Sequence, residues 1–120
     1  MWLDSYEMSK WAYKYCLFKE DKPEVRNYIN DAEWAYNYCL YIKDRPDIRK
    51  YITHSQWSYW YCLWVKDDPE VRKNIINPVW ACWYCIDVKD RPEVRKYIIN
   101  SKWSYHSYIK HKSINGGNSD

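Results

Sequence analysis

Tryptophan recurs at Trp11, Trp34, Trp57, Trp80 and Trp103, an interval of 23 residues each time. Cysteine follows in the same register at Cys16, Cys39, Cys62 and Cys85, proline at Pro23, Pro46, Pro69 and Pro92, and arginine at Arg26, Arg49, Arg72 and Arg95. A fixed period of this size marks stacked supersecondary units. Each unit is too small to bury its own apolar face and must bury it against its neighbours, which leaves few architectures open.

The unit WAYNYCLYIKDRPDIRKYITHSQ, which starts at Trp34, divides at Asp44-Arg45-Pro46. Before the division, Asp31 is placed to cap a helix that starts near Ala32 and runs to about Lys43. In the fourth unit the same start reads Asn77-Pro78, a capping Asn followed by Pro in the first helical position. The residue before each Pro resists helical angles, so the first helix ends there. Pro46 then opens a shorter helix that reaches about Ile52. Asp44 and Asp47 have the spacing of a capping box, repeated as Asp21/Glu24, Asp67/Glu70 and Asp90/Glu93.

At 100° per residue, Trp34, Ala35, Tyr38, Cys39 and Ile42 share one arc of the longer helix, and Tyr36 and Leu40 widen it. Ala or Ser after each Trp (Ala12, Ala35, Ser58, Ala81, Ser104), with Cys four residues on, gives a strip of small side chains where a neighbouring helix comes close. The shorter helix offers Val25/Ile29, Ile48/Ile52, Val71/Ile75 and Val94/Ile98 as i,i+4 docking pairs. Helices this short are marginal alone, so stacking must hold them. The expectation is an all-α fold: a short right-handed α-solenoid of about five 23-residue helix–turn–helix repeats. It forms a single domain over residues 1–112, with repeats starting near residues 9, 32, 55, 78 and 101. Trp2 and Tyr6 suggest a half repeat over residues 1–8, and residues 113–120 read as a disordered tail.

The only two glycines, Gly116 and Gly117, lie near the C-terminus, which argues against a fold rich in tight β-hairpins. The formal charge of +3 is too mild to demand nucleic acid or a membrane surface. No apolar run approaches the ~20 residues that cross a bilayer. The first residues lack the pattern of a secretory signal, so a cytoplasmic location is expected. Equivalent cysteines of neighbouring units should lie roughly 10 Å apart, beyond the ~7 Å Cα limit for a disulfide. The Cys ladder is therefore read as reduced and buried.

The pattern W-A-Y-x-Y-C-L-x-[IV]-K-D-R-P-[ED]-[VI]-R-K-Y-I resembles a family of tandem 23-residue repeats found in proteins of large DNA bacteriophages and giant viruses. The resemblance covers about 100 of the 120 residues. It is carried by the period, the K-x-R-P-E turn and the paired Tyr. Asp44, Asp67 and Asp90 stand where that family has Gly, and Cys stands where it has a recurring Ala. The resemblance implies a viral or phage-like repeat scaffold, with the host cell cytoplasm as its setting and no assigned catalytic residue.

Positions that vary between units are where a partner is chosen. Three and seven residues after each Trp the chain reads Lys14/Phe18, Asn37/Tyr41, Trp60/Trp64, Trp83/Asp87 and His106/Lys110. These positions face away from the small-residue strip. Tyr41, Trp60, Trp64 and Trp83 are the candidate partner-binding residues, since Trp and Tyr dominate interface hot spots. A later curl of the chain that covers them is the alternative. Arg26, Arg49, Arg72 and Arg95 are candidate anion-binding residues, although pairing with Asp or Glu of the adjoining unit explains them more simply. No catalytic fingerprint, metal-ligand spacing or cofactor motif occurs, and Cys82-x-x-Cys85 lacks a second pair. The expectation is a non-enzymatic scaffold for a protein partner or homo-oligomer, with no cofactor, metal or membrane role. Single-stranded nucleic acid bound by the Arg ladder and aromatics is the alternative.

Overall fold

The computed structural model describes residues 3–115, in which long and short helices alternate. The order is α1 Ser5–Phe18, α2 Pro23–Arg26, α3 Ala32–Tyr41, α4 Pro46–Arg49, α5 Ser55–Trp64, α6 Pro69–Arg72, α7 Pro78–Asp87, α8 Pro92–Arg95 and α9 Lys102–Asn115, with a 3-10 turn at Ile98–Asn100 before α9. No strand occurs among the described residues.

The caps follow the sequence where it was explicit. The Asp31 and Asn77 side chains accept from the backbone N–H of Glu33 and Val79, and all four prolines open their short helices. Long helices end without glycine: Ile42 and Lys43 both donate to the Tyr38 carbonyl, and Val65 and Lys66 repeat this at Tyr61. No described residue has positive φ. The stop comes from the following proline, which forbids helical angles to the residue before it. The short helices span four residues rather than running to about Ile52. Beyond Arg49 the chain tightens into i to i+3 bonds, from Tyr51 N–H to Ile48 and from Ile52 N–H to Arg49.

Three other expectations are corrected. The capping boxes do not form: with Pro at the first helical position, the cap is the residue immediately before it, Lys22, Arg45, Asp68 or Arg91. Asp21, Asp44, Asp67 and Asp90 therefore sit one residue too early, and only Asp68 caps its short helix by a side chain. The tail expected to be disordered from residue 113 is helical as far as Asn115, which stands where the other units have their proline. Residues 116–120 and Trp2 lie outside the described residues. Tyr6 belongs to the first turn of α1, not to a separate short helix. Ser5-Tyr6-Glu7-Met8 lacks the β-branched Ile found at this point in the other units, and Asp4 caps it by accepting from Glu7 N–H.

Long helices pack side by side, α1 on α3, α3 on α5, α5 on α7 and α7 on α9, while each of α2, α4, α6 and α8 packs on the long helix before it. The resulting body measures 53 × 27 × 20 Å with a Cα radius of gyration of 16.7 Å. A compact globule of this length would have a radius of about 14 Å. The seam between long helices is lined by the small strip, and Ala12, Ala35, Ser58, Ala81 and Ser104 are fully buried. Ile29, Ile52, Ile75 and Ile98 are buried where the short segments dock. All five cysteines are free and buried. The largest fully buried side chains are Tyr38, Tyr61 and Tyr84, not the tryptophans. Trp34, Trp57 and Trp80 are half-buried, and Trp11 and Trp103 are exposed.

Candidate interaction surface

Two ladders of polar and aromatic contacts fix the geometry of the surface. In the first, a buried tyrosine reaches back 17 residues to an aspartate. Tyr38 Oη donates to Asp21 at 2.8 Å, Tyr61 Oη to Asp44 at 2.8 Å, and Tyr84 Oη to Asp67 at 2.8 Å. The periodic arginine of the aspartate's own unit closes each group: Arg26 Nε lies 3.1 Å from Asp21, Arg49 Nη2 3.0 Å from Asp44, Arg72 Nε 3.3 Å from Asp67, and Arg95 Nη1 3.3 Å from Asp90. At Asp90 the donor is Tyr108, at 2.6 Å, which occupies the place of the cysteine ladder. Burial pushes the carboxyls of Asp21, Asp44 and Asp90 up. The arginine and tyrosine bonds at Asp21 and Asp44, and those from Tyr108 and Lys112 at Asp90, outweigh it and leave all three below their ordinary value.

The candidate anion-binding residues Arg26, Arg49, Arg72 and Arg95 are thus each held by a carboxylate. The pairing was expected across units; each arginine has its carboxylate within the unit, and Arg72 also reaches Glu93 of the adjoining unit at 3.9 Å. The link between units comes from the tyrosine hydroxyl and, at alternate steps, from a second arginine. Arg45 lies 3.5 Å from Asp21, and Arg91 Nη2 lies 3.0 Å from Asp67. Asp68 occupies the corresponding place beside Asp44, so that carboxylate has a single arginine. This alternation of Arg45 and Arg91 with Lys22 and Asp68 was visible in the sequence as a doubled period. The constant Asp-to-Tyr spacing of 17 (21 to 38, 44 to 61, 67 to 84) was visible too.

In the second ladder a tyrosine two places after one Trp stacks on the Trp of the next unit. Tyr13 and Trp34, Tyr36 and Trp57, and Tyr59 and Trp80 have ring centroids 5.5 Å apart with tilts of 34°, 33° and 34°. Cys82 replaces the fourth tyrosine, and Trp103 lacks that cover.

The candidate partner-binding residues divide. Tyr41 is 64% exposed, Trp64 60% and Trp83 40%. Trp60 is half-buried, packed on the core with its edge to the Tyr59 ring. Phe18, absent from the candidate set, is 74% exposed. The signal for it was present, since Phe18, Tyr41 and Trp64 share one repeat position. They close α1, α3 and α5, three helices that pack in succession, so they form one aromatic row. The row stops at Asp87, which accepts from Tyr59 Oη at 2.6 Å.

The cysteine thiols are all free and buried. Burial pushes the thiols of Cys39, Cys62 and Cys85 up to about 12, and those of Cys16 and Cys82 also up. Among the described residues no three His, Cys, Asp or Glu side chains gather as a metal-binding group. No described helix is long and apolar enough to cross a membrane. No protein-family model, curated protein or solved structure matches this chain.

Proposed function

We propose that the chain is a non-enzymatic repeat scaffold: a short right-handed α-solenoid of five 23-residue units that docks a protein surface, or the same face of a second copy, on its aromatic row. Phe18, Tyr41 and Trp64 form the centre of the docking face, and Trp83 extends it past Asp87. The observation that carries this reading is the exposure of three large aromatics at one repeat position on successive helices. Stacking does not require aromatics there, since Asp87 and Lys110 fill the same position in other units. Soluble monomers rarely leave contiguous apolar patches bare, and Trp and Tyr supply most hot-spot energy. A place among the 23-residue repeat scaffolds of large phages and giant viruses, in the host cytoplasm, belongs to the same reading.

The test compares the wild type with Tyr41→Ser/Trp64→Ser on a protein array, with circular dichroism on both. The double variant should keep its helical signal and lose the ligands of the wild type. A variant that unfolds, or one that keeps the wild-type ligand set, refutes the docking face. No observation favours the nucleic-acid alternative, because the arginines it needs are held by carboxylates.

A further inference from the structure

The internal joints of the molecule have two complementary halves, and each half recurs uncovered at one end of the helix layer. At the α9 end, Tyr105 occupies the stacking position of Tyr13, Tyr36 and Tyr59. Those three are 5–7% exposed, whereas Tyr105 is 43% exposed, with Ile109 beside it at 43%. At the α1 end, Trp11 occupies the receiving position of Trp34, Trp57 and Trp80 but is 46% exposed. It borders an apolar hollow of about 290 Å³ lined by Leu3, Met8, Trp11 and Tyr28.

We propose that copies of this chain join head to tail, with Tyr105 of one copy stacking on Trp11 of the next and Ile109 entering the adjoining hollow. The contact would continue the Tyr-on-Trp geometry that recurs three times within the chain at 5.5 Å. Charge favours the same pairing. The α9 end carries Lys102, Lys110 and Lys112 with no acidic residue between Glu93 and Asp120, and the α1 end presents Asp4 and Glu7 ahead of Lys10 and Lys14. The two patches are different surfaces, so the interface is heterologous and does not close on itself in a dimer. It is weaker than an internal joint, because Ser113 stands where an aspartate would have to meet Tyr15 of the next copy. Assembly is therefore concentration-dependent. It uses neither Tyr41 nor Trp64 and stands apart from the docking face.

Sedimentation velocity of the full chain over a concentration series tests this. A progressive series of species is expected. Trp11→Ser and Tyr105→Ser alter exposed side chains, and each should weaken association by about tenfold or more. Each variant keeps one good half-joint, so an equimolar mixture of the two should form a 1:1 dimer of near wild-type affinity and nothing longer. Tyr41→Ser/Trp64→Ser should leave the series unchanged. If either serine variant loses its helical signal, Lys102→Glu/Lys110→Glu replaces it and should weaken association in the same way. A chain that stays monomeric throughout, a wild type that stops at a dimer, or a variant mixture that shows no dimer overturns the proposal.

Discussion

Tyr61→Phe isolates the polar ladder, since it deletes one oxygen and keeps the ring. The Tyr61 side chain is fully buried, and its hydroxyl donates to both Asp44 oxygens at 2.8 and 2.9 Å while accepting from Arg49 Nε at 2.9 Å. Hydrogen bonds to charged groups contribute about 1.5–3 kcal/mol. Asp44 has no second arginine to compensate, so the expected loss is about 2 kcal/mol, or roughly 8 °C in Tm for a chain of this size. Tyr84→Phe should cost about half as much, because Asp67 keeps both Arg72 and Arg91. The Tyr61→Phe deficit should also depend on pH. The folded Asp44 carboxyl lies below its ordinary 3.8, so its contribution is present above that value and is lost as pH falls through the folded value. The gap between variant and wild type should therefore narrow as pH drops below about 4. Urea melts of the three proteins at neutral and acid pH measure all of this. Equal costs for Tyr61→Phe and Tyr84→Phe, or a Tyr61→Phe deficit that ignores pH, would refute the reasoning.

The buried thiols should be silent toward a disulfide reagent in the native state and all react in denaturant; a fast native thiol would contradict the Cys ladder. Because Cys39, Cys62 and Cys85 are raised from 9.0 to about 12, their contribution is intact below pH 9 and lost as pH rises toward 12. Ile75→Ala should cost about 2–5 kcal/mol, whereas Ile76→Ala, 55% exposed, should stay within about 0.5 kcal/mol. Similar urea midpoints for the two would mean that the docking register of α6 is wrong. In a gel shift at low salt, single-stranded oligonucleotides should not be retarded; retardation that fades steeply with salt would restore the nucleic-acid alternative.

Much of the helical pattern was legible because its signals are local. Pro23, Pro46, Pro69 and Pro92 mark helix starts by their fixed φ, and Ala or Ser after each Trp marks the seam by size alone. The partners of the aspartates were not legible in the same way. Asp21 and Glu24 satisfy a capping spacing on paper, and only the placement of Tyr38 on the neighbouring helix shows where that carboxylate goes. The division of burial between tryptophan and tyrosine was not legible either. Each internal indole is half-buried beneath one tyrosine and packed against the core, while Tyr38, Tyr61 and Tyr84 are fully buried. Trp60 and Trp64, four residues apart, were grouped because both stand at positions that vary between units. Their burial separates them, because one rests on Tyr59 and the other closes the helix in solvent.

Excision of residues 32–54 tests most directly whether the 23-residue segment is the building block. The cut removes 23 residues (54 − 32 + 1) and joins Asp31 to Ser55, so a capping aspartate again precedes a long helix. If each unit meets only its neighbours, α1 should pack on α5 as it now packs on α3. The shortened chain should then melt cooperatively with a proportionate helical signal. A removal of similar length out of register, such as residues 32–49, should not fold. An unfolded in-register product, or two deletions that behave alike, would contradict the account.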